Sequence, residues 1–194
     1  MKIVFKIGLI GLFFYGLCLP AVAQEYQLKS HKIEIKGSAK PEHAWTSKAT
    51  KATLKADFVI EGNAFKELKK ATLEIPVKGI KSDKNSDLMD NRTYETLLAD
   101  KYPNIQYVLT SLKSATLQGN ETLLVLAGSL TIGGKSQPVE LSMKGKILPD
   151  GSIELSGSQA LKMSNYGIKP PTFMLGALKV MDDVTIVYSI TLKK

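Results

Sequence analysis

Apolar and polar side chains alternate at every second residue through most of this chain from residue 33 onward. That period belongs to strands with one buried face, because successive side chains leave a pleated backbone on opposite sides. Ile33 and Ile35 begin the series, and Leu54, Ala56, Phe58 and Ile60 alternate with Lys55, Asp57 and Glu61. Ala71, Leu73, Ile75 and Val77 alternate with Lys70, Thr72, Glu74 and Lys78. Further stripes run through Ile105, Tyr107 and Leu109, through Leu124, Leu126, Leu130 and Ile132, and through Val139, Leu141 and Met143. Ile153 and Leu155 lead into Leu161 and Met163, and Val184, Ile186, Tyr188, Ile190 and Leu192 form the last face, with Val187 an apolar exception on the other. The pattern predicts about eight strands in an all-β domain.

Turn chemistry separates several of them: Glu61-Gly62-Asn63, Gln118-Gly119-Asn120, Gly133-Gly134 and Pro149-Asp150-Gly151. Asp150-Gly151, between Ile147 and Ile153, is the clearest hairpin signal. One segment changes period. Over residues 90–101 Tyr94, Leu97 and Leu98 share a helical face, which predicts one short helix near residues 91–100, capped by Asp90 or Asn91 and stopped by Pro103. Residues 81–88 read as a polar loop, and residues 165–177, with Pro170-Pro171 and two glycines, as a long irregular crossing that serves as a lid or a rim. Eight antiparallel strands close into a barrel or split into a sandwich. An eight-stranded barrel is either filled by side chains or just wide enough for one small ligand, and periodicity leaves these alternatives open.

Residues 1–23 read as a secretory leader, which sets the domain at residues 24–194. Lys2 and Lys6 supply the positive start, an uncharged run from Ile7 to Leu19 follows, and Ala21-Val22-Ala23 after Pro20 predicts cleavage after Ala23. A retained anchor is the rival, but that run is shorter than the roughly 20 residues that span a bilayer. Lipidation at Cys18 is disfavoured by Leu17, where a small residue belongs. The mature chain, 194 − 23 = 171 residues, then has no cysteine and neither a disulfide framework nor a multi-cysteine metal site. Two histidines do not make a His-rich metal site, so no metal is expected. Residues 83–87 have the opening spacing of a calcium loop, but Leu88 and Tyr94 occupy positions that require Gly and Glu. The sequons at Asn91 and Asn120 read as coincidence in a chain of bacterial character.

The mature charge is 24 − 18 = +6, and Arg92 is the single arginine among the basic residues. Nucleic-acid readers lean on the planar fork of arginine, and the lysines here are scattered, so no nucleic-acid partner is expected. A solvated exported surface fits better, with transient contact to anionic membrane head groups as the alternative. No nucleophile elbow, phosphate loop or Ser/His/Asp set is present, which argues against an enzyme.

Met89-Asp90, Tyr94 and Lys101-Tyr102-Pro103-Asn104-Ile105 together resemble the YceI-like family of exported, lipocalin-like barrels that bind polyisoprenoid lipids. Gly128-Ser129-Leu130-Thr131-Ile132-Gly133-Gly134 followed by Pro138-Val139 is similar to a hairpin of that family, and Met163 to Ile168 followed by Asp182-Asp183-Val184 to its closing segment. His43-Ala44-Trp45-Thr46, Lys81-Ser82 and Pro170-Pro171-Thr172 resemble Bacteroidetes-type members. The likeness covers about residues 30–192. It implies an eight-stranded antiparallel lipocalin-like β-barrel with a helix near one end and a long apolar tunnel for an isoprenoid chain, a polyprenyl lipid or a quinone tail. It implies no catalytic residue and no cofactor beyond such a lipid. Where the more familiar form of the family is glycine-rich after the first strand, this chain has Lys40-Pro41-Glu42.

His43 and Trp45, two apart on a strand, would share a face: the plainer reading is a core or rim tryptophan and a satisfied histidine, and the functional one is Trp45 as a tunnel wall and His43 as a head-group partner. Phe58, Ile60, Leu73, Ile75, Tyr107, Leu109, Leu130, Ile132, Leu141, Met143, Ile186 and Tyr188 are ordinary core in any β domain, and become ligand contacts in a hollow barrel. Met143 and Met163 suit a wall that adapts to a flexible chain, or plain gap filling. The expectation is a periplasmic protein that sequesters or carries an isoprenoid lipid. The alternative is a filled barrel acting through its surface as a stress-related or adhesion module, and nothing in the sequence selects between a monomer and a dimer.

Overall fold

The computed structural model describes residues 23–41 and 43–194; the leader expected over residues 1–23 lies, but for Ala23, outside them. Eleven strands and one α-helix follow in chain order: β1 (Gln24–Lys40), β2 (His43–Ala49), β3 (Thr53–Glu61), β4 (Ala64–Pro76), β5 (Ile80–Ser82), α1 (Asp87–Thr96), β6 (Asn104–Gln118), β7 (Glu121–Ile132), β8 (Lys135–Ile147), β9 (Ile153–Lys162), β10 (Thr172–Phe173) and β11 (Leu178–Lys193). Around the barrel the order is β1–β3–β4–β6–β7–β8–β9–β11, and β11 pairs back onto β1, so eight antiparallel strands close without an edge. Gly133 (φ 56°) and Gly134 (φ 77°) turn β7 into β8 with both central residues left-handed, the geometry that matches the twist of the flanking strands.

β1 divides the barrel into two ends. Its residues 24–27 pair with β3, whereas residues 33–39 pair with β2, which in turn carries β5. At the fork between them the His31 ring nitrogen Nε2 donates to the Ala49 carbonyl (3.2 Å). The β3 end is closed by packing. Tyr26 and Phe58 meet edge to face with ring centroids 5.8 Å apart, Phe65 stands 5.4 Å from Phe58, and Ile153 and Leu192 are wholly buried. At the β2 end, β5, α1 and the segment around β10 surround an opening.

The helix begins earlier than its sequence suggests. Ser86, not Asp90 or Asn91, is the cap, and its Oγ accepts from the Met89 N–H (3.4 Å). Asp90 instead lies buried inside the first turn, where its carboxylate accepts from the Ser82 N–H (2.7 Å) and pairs with Lys81 Nζ (3.1 Å). Termination falls at Thr96, well before Pro103: Leu98 turns left-handed (φ 53°) and the Ala99 N–H bonds back to the Tyr94 carbonyl (2.9 Å). Residues 81–88, expected as loop, contain the end of β5 and the start of α1. Asp182 and Asp183 lie within β11, where Asp182 accepts from the Ser164 N–H (2.8 Å) and Asp183 pairs with Lys162 (2.6 Å).

Candidate functional site: an apolar tunnel

The barrel is hollow. A cavity of about 160 Å³ lies inside it, and a larger one of about 430 Å³ lies at the β2 end. Ile35, Ile80, Ile105, Ile132, Leu161 and Ile186 line both, so the two adjoin along one axis, with the mouth among β2, β5, α1 and β10. The inward stripes build their walls. Phe58, Leu73, Ile75, Tyr107, Leu130, Leu141, Met143 and Tyr188 line the inner cavity, Ile132 and Ile186 line both, and His43, Trp45 and Met163 line the outer one.

Ile60 and Leu109, expected on the same wall, line neither cavity and pack against the core from half-buried positions. Neither has left the phase of its stripe: the extra residue of the register shift beside Ile60 is Lys66 on β4, and the one in β6 is Thr110, after Leu109. Both still face the core, so alternation gives the inward face but not the stretch of it that borders the cavity. The sequence reading also missed Met89, Thr93, Leu97, Ile168 and Phe173, all on the outer wall. They come from α1 and the 165–177 crossing, where no period-2 signal exists. That crossing is a rim, with Pro171 and Phe173 facing the mouth.

Among the residues lining the inner cavity, side-chain hydrogen-bonding groups belong to Gln159, Tyr107 and Tyr188. Burial pushes both tyrosine hydroxyls up to about 12, and for Tyr107 the proximity of Tyr188 adds to it. Tyr188 Oη reaches the Ser142 carbonyl at 3.5 Å, the outer limit of a hydrogen bond. Tyr107 Oη is buried with no partner among the described residues. The Tyr107 ring lies against Gly128, where a Cβ would stand 2.5 Å from it, and the Tyr188 hydroxyl lies against Gly157, at 2.6 Å. Trp45 is held at the mouth by its Nε1–H donating to the Ser38 carbonyl (3.3 Å) and by its ring lying over Gly37. His43, on the same face of β2, is exposed. Polar and charged groups gather at this outer end: Arg92 pairs with Glu95 (3.0 Å) and lies over the Phe173 ring (5.7 Å). The tunnel therefore offers apolar contact inside and hydrogen-bonding groups at its opening.

The YceI-like domain matches residues 26–192. The chain belongs to the YceI-like family. Solved structures share the barrel at low identity, which carries the fold alone. BcnA of Burkholderia cenocepacia is 19% identical, with 83% of this chain and 95% of that one covered and a TM-score of 0.62. A polyisoprenoid-binding domain of Saccharophagus degradans, implicated in plant cell wall breakdown, is 14% identical over 87% and 97%, with a TM-score of 0.66. The YceI protein of Campylobacter jejuni is 20% identical over 100% and 94%, with a TM-score of 0.53. No curated protein matches the chain in sequence. This YceI-like chain thus has the expected fold, a closed eight-stranded antiparallel barrel of lipocalin type with one helix.

Proposed function

We propose that this YceI-like barrel is a non-enzymatic, periplasmic binding protein that sequesters or carries an isoprenoid lipid, with a polyprenyl or quinone tail in the tunnel. The observation that carries this reading is the pair of adjoining, mainly apolar cavities, about 430 Å³ at the mouth and about 160 Å³ within. Removing an isoprenoid chain from water contributes roughly 25 cal/mol per Å² of apolar surface, so affinity needs no charged partner in the wall. Trp45, the inner stripe residues and Met163 are the proposed tail contacts, and His43 is the proposed head-group partner at the mouth. The Saccharophagus degradans relative is described as polyisoprenoid-binding, which favours the same ligand class here. The filled-barrel alternative requires side chains that meet along the axis, and the cavity speaks against it.

Native mass spectrometry of the chain purified from its own envelope tests the reading. Recovery with a mass increment matching a polyprenyl lipid or quinone is the expected result. An unloaded protein that also takes up neither a quinone nor a polyprenol overturns it. Export is tested separately, by an N-terminus beginning at Gln24 in the periplasmic fraction.

A further inference from the structure

We propose that the mouth end of the barrel is a docking face for an anionic phospholipid bilayer. The proposal rests on the isoprenoid reading for its purpose, not for its geometry. Among the described residues, five large hydrophobic side chains stand exposed: Leu88, Leu98, Val108, Leu117 and Leu175. Three of them lie in sequence beside residues that line the outer cavity. Leu88 precedes Met89, Leu98 follows Leu97, and Leu175 comes two residues after Phe173, and Met89, Leu97 and Phe173 all line the outer cavity. Leu117 sits at the opposite end, where β6 turns into β7.

The backbone makes the placement unusual. Leu98 (φ 53°) and Leu175 (φ 55°) are left-handed, a conformation that bulky residues rarely adopt. Leu175 is 109% exposed relative to a free residue. The fold thus holds two leucines in unfavourable backbone geometry while leaving their side chains in water.

Charge at the same end favours an anionic surface. Lys40 and Lys179 face each other across the β1–β11 ladder, and like charges directly opposite weaken a sheet. Lys84 lines the outer cavity. None of these three makes an ion pair with a described residue, whereas the acids around them are engaged: Asp83 with Lys48, Asp90 with Lys81, Glu95 with Arg92 and Asp183 with Lys162. Asp87 is the exposed acid left over at the start of α1. Three lysines set among three leucines match the polar–apolar boundary of a bilayer with anionic head groups. Seated this way, the mouth opens onto the membrane, which is where an isoprenoid chain resides.

Flotation of the mature chain with vesicles tests the proposal, comparing phosphatidylcholine alone with a mixture containing phosphatidylglycerol. Binding to the anionic vesicles, weakened by salt, is expected. Combining Leu88→Ser, Leu98→Ser and Leu175→Ser should lower partitioning by roughly tenfold or more, as should Lys40→Glu with Lys179→Glu at low salt, while Leu117→Ser leaves it unchanged. Absence of wild-type binding to anionic vesicles overturns the proposal, and so does a loss in Leu117→Ser equal to that of the triple variant. A concentration-dependent dimer, abolished by the same leucine changes, would assign the face to a second copy instead. Thermal melts show whether each variant folds, and loading of a quinone from detergent micelles separates the two ideas. Vesicle binding without any loading sinks the isoprenoid reading alone; loading without vesicle binding sinks the docking face alone.

Discussion

Replacing Tyr107 with phenylalanine should stabilise this protein, against the usual direction of a core substitution. The ring is buried and packs against Gly128, and phenylalanine keeps the ring contact, losing only that of the hydroxyl oxygen. What it removes is one hydroxyl that is buried without a partner. An unsatisfied buried hydroxyl carries a desolvation penalty of about 1–3 kcal/mol, of which relaxation recovers part, so the expected gain is about 1 kcal/mol. For a domain of this size that corresponds to a rise in Tm of about 2–4 °C. Thermal and urea unfolding followed by circular dichroism measure it, with Tyr188→Phe as the control. That variant loses a bond to Ser142 already at 3.5 Å and should change stability little. Ionisation gives an independent reading. Both hydroxyls are raised to about 12 by burial, above the unfolded value near 10. Burial of the neutral phenols thus favours the native state fully below about pH 10, and that preference is lost as pH rises toward 12. Burial also raises Tyr26 and Tyr166, so absorbance at alkaline pH should show several late-titrating tyrosines, with one fewer at the highest pH in Tyr107→Phe. A loss of about 1 kcal/mol or more in Tyr107→Phe would refute the reasoning, because it would mean that the hydroxyl is bonded in solution.

Asp90→Asn should destabilise the domain by about 1–3 kcal/mol, since the Ser82 N–H and Lys81 lose an ionised acceptor; urea titration measures it. Burial alone would push the Asp90 carboxyl up, but Ser82 and Lys81 hold it below the ordinary value, so its contribution is present above about pH 4 and is lost as pH falls through its native pKa. Acid unfolding of Asp90→Asn should accordingly be shallower than that of the parent. Gly128→Ala places a Cβ into the Tyr107 ring and should cost about 1–3 kcal/mol in chemical unfolding. Ile75→Asp buries an unpartnered charge in the tunnel wall and should unfold the domain or abolish lipid uptake; unchanged melting together with unchanged uptake would show that this face is not inward.

The barrel was legible because its signal is redundant: each stripe repeats the same two-residue period, and turns such as Asp150-Gly151 mark the joints. The mouth was not. α1 carries polar and charged residues over most of its length, so neither its face nor its start is written in apolar spacing, and Ser86, Asp87, Asp90 and Asn91 all have cap-forming side chains. Only the tertiary bond from the Ser82 N–H to Asp90 decides which of them is buried. β5 is three residues long and exists because β2 presents an edge to it, a long-range condition invisible locally. Ile60 and Leu109 fail for a different reason: their stripes are real and both pack against the core, but alternation gives the inward face and not the stretch of it that borders the cavity.

Whether such a barrel is hollow turns on where its inward bulk goes, which no periodicity records. At the β3 end Tyr26, Phe58 and Phe65 meet edge to face and fill the cross-section. Farther along, the wall residues are chiefly isoleucine and leucine, which reach less far toward the axis, and the two remaining large rings belong to Tyr107 and Tyr188. Both are accommodated by a glycine on a neighbouring strand, Gly128 on β7 and Gly157 on β9. A side chain at either glycine would overlap the tyrosine beside it and force ring or strand to move, with the lumen the open direction. Two glycines in strand interiors, ordinarily unfavourable there, thus leave room against the wall for the rings that would otherwise obstruct the tunnel.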